Sequence, residues 1–227
     1  MPFFLFDPTM ILLVPALILA FWAQMRVKKT YRKFQKISAS GNVTGYKVAK
    51  HILNQNGLSS VEVNAVKGEL SDHYDPRKRT VNLSEANYRG NSLAAIAVAA
   101  HEVGHAIQHH TEYTPLKLRH AILPVTSFAS WAAFPLFFIG FLFSIPGLLQ
   151  AGIIFFAAVV AFHLVTLPVE FNASSRAIAQ LNGMGVLMNQ ELSGARKVLN
   201  AAAFTYVASA TMALLQLVRL ILLSQSE

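Results

Sequence analysis

Two histidines and a glutamate lie within one five-residue stretch of this chain, His101-Glu102-Val103-Gly104-His105. The stretch is surrounded by alanine, which favours an α-helix. Residues four apart lie on one face of a helix, so the imidazoles of His101 and His105 could bind a single Zn2+. Glu102 would lie beside the metal, where its carboxylate could take a proton from a zinc-bound water. The motif therefore predicts a hydrolytic zinc centre with Glu102 as its catalytic base.

A catalytic zinc site of this type needs a third protein ligand. The chain contains no cysteine, so this ligand must be a histidine or a carboxylate. His109 does not fit the extended HExxHxxGxxH pattern, which would place a histidine at position 111. The downstream carboxylates are Glu112, Glu170 and Glu191. The sequence favours Glu170, because the small residues around it would let its helix approach the histidine helix closely, and Glu191 is the alternative.

The composition is that of a membrane protein with a modest polar domain. The chain has 227 residues, of which 54% are hydrophobic and 13% are charged, whereas soluble domains carry about 25% charged residues. Apolar stretches predict a first transmembrane helix at 9–25, a hairpin of two transmembrane helices at 121–167 and a fourth at 198–223. The predicted fold is therefore mainly α-helical and polytopic.

Two polar segments lie between these stretches. Residues 26–120 are predicted to form a small zincin-like α+β domain, with a short antiparallel sheet (strands near 61–66, 70–74 and 80–83) before the HExxH helix. That helix should run from Leu93 to about His110, with a cap at Asn91-Ser92. Residues 168–197 form the second polar segment. A helix is expected to begin there near Pro168. This segment carries the predicted third zinc ligand.

Positive charge predicts how the chain is oriented in the membrane. The net charge is +8, and residues 26–120 hold all of it, with 15 Lys and Arg against 7 Asp and Glu. Six of these cations follow the first apolar stretch within residues 26–36, which indicates the cytoplasmic side. Residues 26–120 and 168–197 should then share the cytoplasmic face of the cell membrane. The positive-inside rule explains the charge more simply than nucleic-acid binding, so no nucleic-acid partner is predicted.

Several stretches resemble one protein family. They are the His101–His105 motif, the segment Val169-Glu170-Phe171-Asn172-Ala173-Ser174-Ser175-Arg176-Ala177, the segment Leu70-Ser71-Asp72-His73-Tyr74-Asp75-Pro76 and the tail Gly194-Ala195-Arg196-Lys197-Val198-Leu199. Together they resemble the YugP-type neutral zinc metallopeptidases of bacterial membranes. That family is similar to the larger group of membrane gluzincins that includes the HtpX and CAAX-processing proteases.

This resemblance implies a zinc cofactor, with His101, His105 and Glu170 as ligands and Glu102 as the general base. One position departs from the larger group, whose members usually carry an aspartate four residues after the ligand glutamate. That position is Ser174 here. A serine could still accept a hydrogen bond from a ligand imidazole, but as a neutral group.

The predicted function is that of a membrane-embedded zinc metalloendopeptidase, which hydrolyses peptide bonds of a peptide or protein substrate at the lipid bilayer. The sequence leaves open whether that substrate is a membrane protein, a signal-peptide remnant or a soluble peptide. Arg176, Asn172 and His73 are candidates for contacts to the substrate or to the oxyanion of the transition state. An extended substrate could pair with an edge of the predicted sheet. The alternatives are a non-catalytic, zinc-stabilised membrane scaffold or regulator, and a metal-ion transporter. Glu102 favours the enzyme, because a purely structural zinc site has no use for a base.

Overall fold

The computed structural model describes residues 7–225. Within this range a short 3-10 helix at Pro8–Leu13 is followed by seven α-helices and three β-strands. In chain order they are α1 (Val14–Gln35), α2 (Gly45–Gln55), β1 (Glu62–Val66), β2 (His73–Asp75), β3 (Thr80–Ser84), α3 (Glu85–Arg89), α4 (Leu93–His110), α5 (Thr114–Leu142), α6 (Pro146–Met184) and α7 (Asn189–Ser224).

Four of the helical segments are long and apolar enough to cross a membrane. They are Pro8–Gln35, α5, α6 and α7, which are 28 to 39 residues long. Large apolar side chains on them are exposed, such as Phe21 and Trp131, as expected of surfaces that face lipid rather than water. The prediction of a mainly helical chain with four candidate membrane spans is confirmed.

The chain divides into two compact units. The first consists of the chain up to residue 24, residues 117–168 and the chain from residue 205. Its core includes Phe137 and Leu149, and a Cβ atom added at Gly152 would lie 2.6 Å from the backbone nitrogen of Phe137. In the same unit Arg219 pairs with Asp7 at 3.1 Å, and both side chains are largely buried. This ion pair fixes the end of α7 to the start of the first apolar segment.

The second unit consists of residues 25–116 and 169–204. Its core is built where α2, α4 and one face of the sheet meet, and includes Ile52, Val81, Leu83 and Ile96, all fully buried. The predicted helix Leu93–His110 is present with these bounds as α4, and the Ser92 hydroxyl caps it by accepting from the amide of Ala95 at 3.2 Å. A capped and buried helix is a rigid support for functional side chains.

The sheet has the strand order β1-β3-β2 and is mixed. β2 and β3 form the expected antiparallel hairpin, but β1 pairs with β3 in parallel, so the prediction of an antiparallel sheet is wrong for β1. After β1 the chain crosses to the far side of β3 before it returns as the hairpin. Gly68 (φ +106°) and Leu70 (φ +56°) make the left-handed turns in this connection. β1 and β3 consequently run in the same direction.

A second prediction fails at Pro168. The sequence predicts that a helix begins there, but α6 runs through Pro168 without a break. A proline has no amide hydrogen to donate within a helix, so it is favoured at a helix start. Long apolar helices nevertheless tolerate interior prolines. The segment with the predicted third ligand is therefore a continuation of an apolar helix, and Val169 is its first residue in the second unit.

Candidate metal centre

Helices α4 and α6 approach each other closely at Gly104. A Cβ atom added at this glycine would lie 2.7 Å from the backbone oxygen of Ala173 and 3.2 Å from its carbonyl carbon. Real Cβ atoms do not approach backbone atoms so closely, so the contact requires glycine. Ala173 lies between Glu170 and Ser174 on α6, whereas Gly104 lies between the two histidines on α4. The glycine contact thus brings the two sets of polar side chains together.

The side chains of His101, His105 and Glu170 converge on one point. Glu170 Oε2 lies 3.4 Å from His101 Nε2 and 3.6 Å from His105 Nε2. The potential ligand atoms of the three residues all lie within 4.8 Å of one another. The carboxylate is buried, while each imidazole keeps a small exposed edge. Among residues 7–225 this is the group of three or more such side chains that could hold a metal ion.

The chemistry of this donor set fits zinc. Two imidazole nitrogens and one carboxylate oxygen are the ligands of many catalytic zinc sites, which keep a fourth position open. The other nitrogen of each ring already has a partner, because His101 Nδ1 lies 3.2 Å from Ser174 Oγ and His105 Nδ1 lies 3.0 Å from Gln108 Oε1. Both Nε2 atoms are thereby directed towards Glu170. Ser174, four residues after Glu170, is thus the partner of the His101 ring.

Glu102 is next to these ligands on α4 but is not part of the three-residue cluster. Its side chain is buried. Burial raises the pKa of the Glu102 carboxyl above its ordinary value, and the nearby His101 and His105 oppose this rise. A raised pKa suits a carboxylate that must accept a proton near neutral pH.

Gln108 is a residue of the site that the sequence analysis did not identify. It is completely buried, and besides contacting His105 it donates to the backbone oxygen of Val169 at 2.8 Å and to Asn172 Oδ1 at 3.0 Å. Arg176 Nε also donates to Asn172 Oδ1, at 2.8 Å. The helical spacing could have indicated this role, because a residue three positions after His105 lies close to the same face of the helix.

The alternative third ligand, Glu191, lies elsewhere in the second unit. Its carboxylate accepts from the amide of Ser40 at 2.7 Å and from the amide of Met188 at 2.8 Å. These bonds hold the start of α7 against the connection between α1 and α2. Neither Glu191 nor Glu112 belongs to the cluster that contains the histidines. Of the three candidate carboxylates, the structure brings Glu170 to His101 and His105.

The three predicted substrate contacts lie in different places. Asn172 and Arg176 lie on α6 within the hydrogen-bond network of Gln108. His73 is exposed on β2, where it lines an open cavity of about 590 Å³ on the polar face of the sheet. The next residue, Tyr74, connects this strand with the histidine helix, since its hydroxyl lies 2.9 Å from His109 Nδ1. His109 thus serves as a contact between β2 and α4.

Comparisons with known proteins find a zinc metallopeptidase family and a membrane protease. The model of a family described as "Putative neutral zinc metallopeptidase" matches residues 9–225. A protein of Bacillus subtilis (strain 168), described as "Putative membrane protease YugP", is 50% identical over 212 residues, which cover 93% of this chain and 94% of that protein. No solved structure matches this chain significantly.

Proposed function

This chain belongs to the neutral zinc metallopeptidase family, and on that premise we propose that it is a membrane-bound zinc endopeptidase. The observation that carries the proposal is the convergence of His101, His105 and Glu170, with the buried carboxyl of Glu102 next to it in sequence. Three ligands leave a zinc ion with an open position, and the adjacent base gives that position a catalytic use.

The proposed reaction is the hydrolysis of a peptide bond. Zn2+ bound by these three ligands would supply a Lewis acid that polarises the scissile carbonyl and lowers the pKa of a water molecule. Glu102 accepts a proton from the attacking water and then returns it to the leaving amine nitrogen. His101 Nδ1 lies beside Ser174 Oγ and His105 Nδ1 lies beside Gln108 Oε1, so the Nε2 atom of each ring is the one in position to act as a metal ligand.

The substrate is proposed to extend along β2. This strand is an edge of the sheet, and an edge strand can pair with an extended peptide. Tyr74 holds β2 against α4 through His109, so a peptide paired there would run beside the histidine helix. The exposed His73 is the proposed contact on this strand, while Arg176 and Asn172 are the proposed contacts on α6.

Replacement of Glu170 tests the proposed ligand set. We expect Glu170→Gln to weaken zinc binding by more than the roughly 10–100-fold that outer partners of zinc ligands contribute, and to abolish peptide hydrolysis. Zinc content after dialysis and cleavage of a casein-type substrate measure the two effects. Glu191→Gln is the matched control, because Glu191 binds backbone amides away from the histidines. Zinc binding that is equal in both variants would contradict the proposal.

We further propose that the active site faces the cytoplasm, as the six cations within residues 26–36 suggest. The absence of cysteine makes this testable by single cysteine substitutions. In intact cells, a membrane-impermeant maleimide should label Gly147→Cys, at the start of α6, and should label Lys78→Cys, beside the β2–β3 turn, only after lysis. Both positions are exposed. The reverse labelling pattern would place the site outside.

A further inference from the structure

The side chain of Gln108 is fully buried and uses both ends of its carboxamide group. Its nitrogen donates to Val169 O at 2.8 Å and to Asn172 Oδ1 at 3.0 Å, and its oxygen lies 3.0 Å from His105 Nδ1. A buried carboxamide with this many partners has one orientation that satisfies them all. The orientation of the Gln108 carboxamide is therefore set by its partners on both helices.

These hydrogen bonds determine the tautomer of His105. The backbone oxygen of Val169 can only accept, so the amide nitrogen of Gln108 must face it, and the amide oxygen must face His105. Only a protonated Nδ1 can donate to that oxygen. In the neutral ring that can bind a metal, the Nε2 atom of His105 then carries the lone pair, 3.6 Å from Glu170 Oε2. Two acceptor atoms that face each other in this way suit a cation between them.

The same carboxamide connects the two helices that carry the ligands. Val169 directly precedes Glu170 on α6, whereas Gln108 and His105 lie on α4. Gln108 thus sets the position of His105 relative to the turn of α6 that carries the carboxylate. Asn172 and Arg176 support it from α6, because the guanidinium donates to Asn172 Oδ1 at 2.8 Å and lies 5.9 Å above the ring of Tyr113.

We propose that Gln108 is the positioning residue of this metal centre. It holds His105 in the metal-binding tautomer and aligns it with Glu170, while Asn172 and Arg176 hold Gln108. It touches neither the substrate nor the metal. The inference rests on the proposed function, because it concerns a centre that holds zinc.

The test compares two glutamines that each form inter-element hydrogen bonds. Gln108→Met removes the carboxamide but keeps the length of the side chain. Gln180→Met is the matched control, since Gln180 of α6 exchanges two hydrogen bonds with Asn56, at 3.1 and 3.3 Å, outside the ligand cluster. The dissociation constant for Zn2+, from competition with a chromophoric chelator, and the Tm are measured on the full-length protein in detergent.

We expect both variants to lower the Tm, because each loses inter-element hydrogen bonds. Only Gln108→Met should weaken zinc binding, by about 10–100-fold. Zinc binding by Gln108→Met that equals that of the control would overturn the inference and leave Gln108 a packing residue. Wild-type protein that binds no zinc would overturn the proposed function instead.

A second variant keeps the test decisive if Gln108→Met does not fold. Asn172→Ala leaves the bond between Gln108 and Val169 in place but removes the other acceptor of the carboxamide. We expect it to weaken zinc binding by about tenfold, the lower end of the range for outer partners. If Asn172→Ala binds zinc as tightly as the wild type, the proposed role of Asn172 and Gln108 in positioning His105 is wrong.

Discussion

Glu102→Gln is expected to slow peptide hydrolysis by orders of magnitude and to leave zinc binding intact. Glutamine keeps the shape of the side chain but cannot accept a proton at neutral pH. General bases contribute about 10²- to 10⁴-fold to rate, so kcat/KM should fall by that factor. Glu102 lies outside the three-residue ligand cluster, so the zinc content per chain should not change. Purified wild type and variant are compared by metal analysis and by cleavage of the same peptide substrate.

Glu85→Gln is the control for this experiment, because Glu85 is an exposed carboxylate at the start of α3 in the same unit. Its activity should equal that of the wild type. Unchanged hydrolysis by Glu102→Gln would remove Glu102 as the base. A cellular phenotype that needs the zinc ligands but not Glu102 would favour the alternative of a non-catalytic, zinc-stabilised scaffold.

Gly104→Ala is expected to damage the metal centre without changing any of its polar groups. The added methyl group would lie 2.7 Å from the backbone oxygen of Ala173, and neither helix backbone can give way locally. Overpacking of this kind costs about 1–3 kcal/mol. If the helices separate to relieve it, Glu170 and Ser174 move away from the histidines. We therefore expect zinc affinity to fall by about tenfold or more.

Gly183→Ala is the matched control. Gly183 is exposed near the end of α6, and a Cβ atom added there meets nothing within 4 Å. Alanine is favoured over glycine in a helix by about 0.5–1 kcal/mol, so this variant should be as stable as the wild type or slightly more stable. Chelator competition and thermal unfolding separate the two variants. Wild-type zinc affinity in Gly104→Ala would show that the close approach is not needed.

Much of this architecture can be predicted from short-range sequence patterns. The four apolar helices follow from hydropathy alone, and the bounds of α4 follow from the Ser92 cap and the helical spacing of its apolar residues. The pairing of β2 with β3 follows from the turn chemistry of Asp75, which accepts from the amides of Arg77 and Lys78. Each of these features is decided within a few residues of the chain.

Other features depend on contacts that no local pattern contains. The parallel pairing of β1 with β3 is set by a connection that crosses to the far side of β3, and the continuation of α6 through Pro168 overrides the usual preference of proline for a helix start. Gln108 belongs to no sequence motif that would mark it as a functional residue. Its importance appears only when Val169, sixty-one residues later, accepts its hydrogen bond.

Nitrogen and oxygen donors make up the whole ligand cluster of His101, His105 and Glu170, and the chain contains no cysteine. Thiolate zinc sites lose their metal when peroxide or related oxidants convert sulfur to sulfenic acid or disulfide. Imidazole and carboxylate groups do not undergo that chemistry. Zinc held by these three residues would therefore not be released by thiol oxidation, whereas zinc held by thiolates would be.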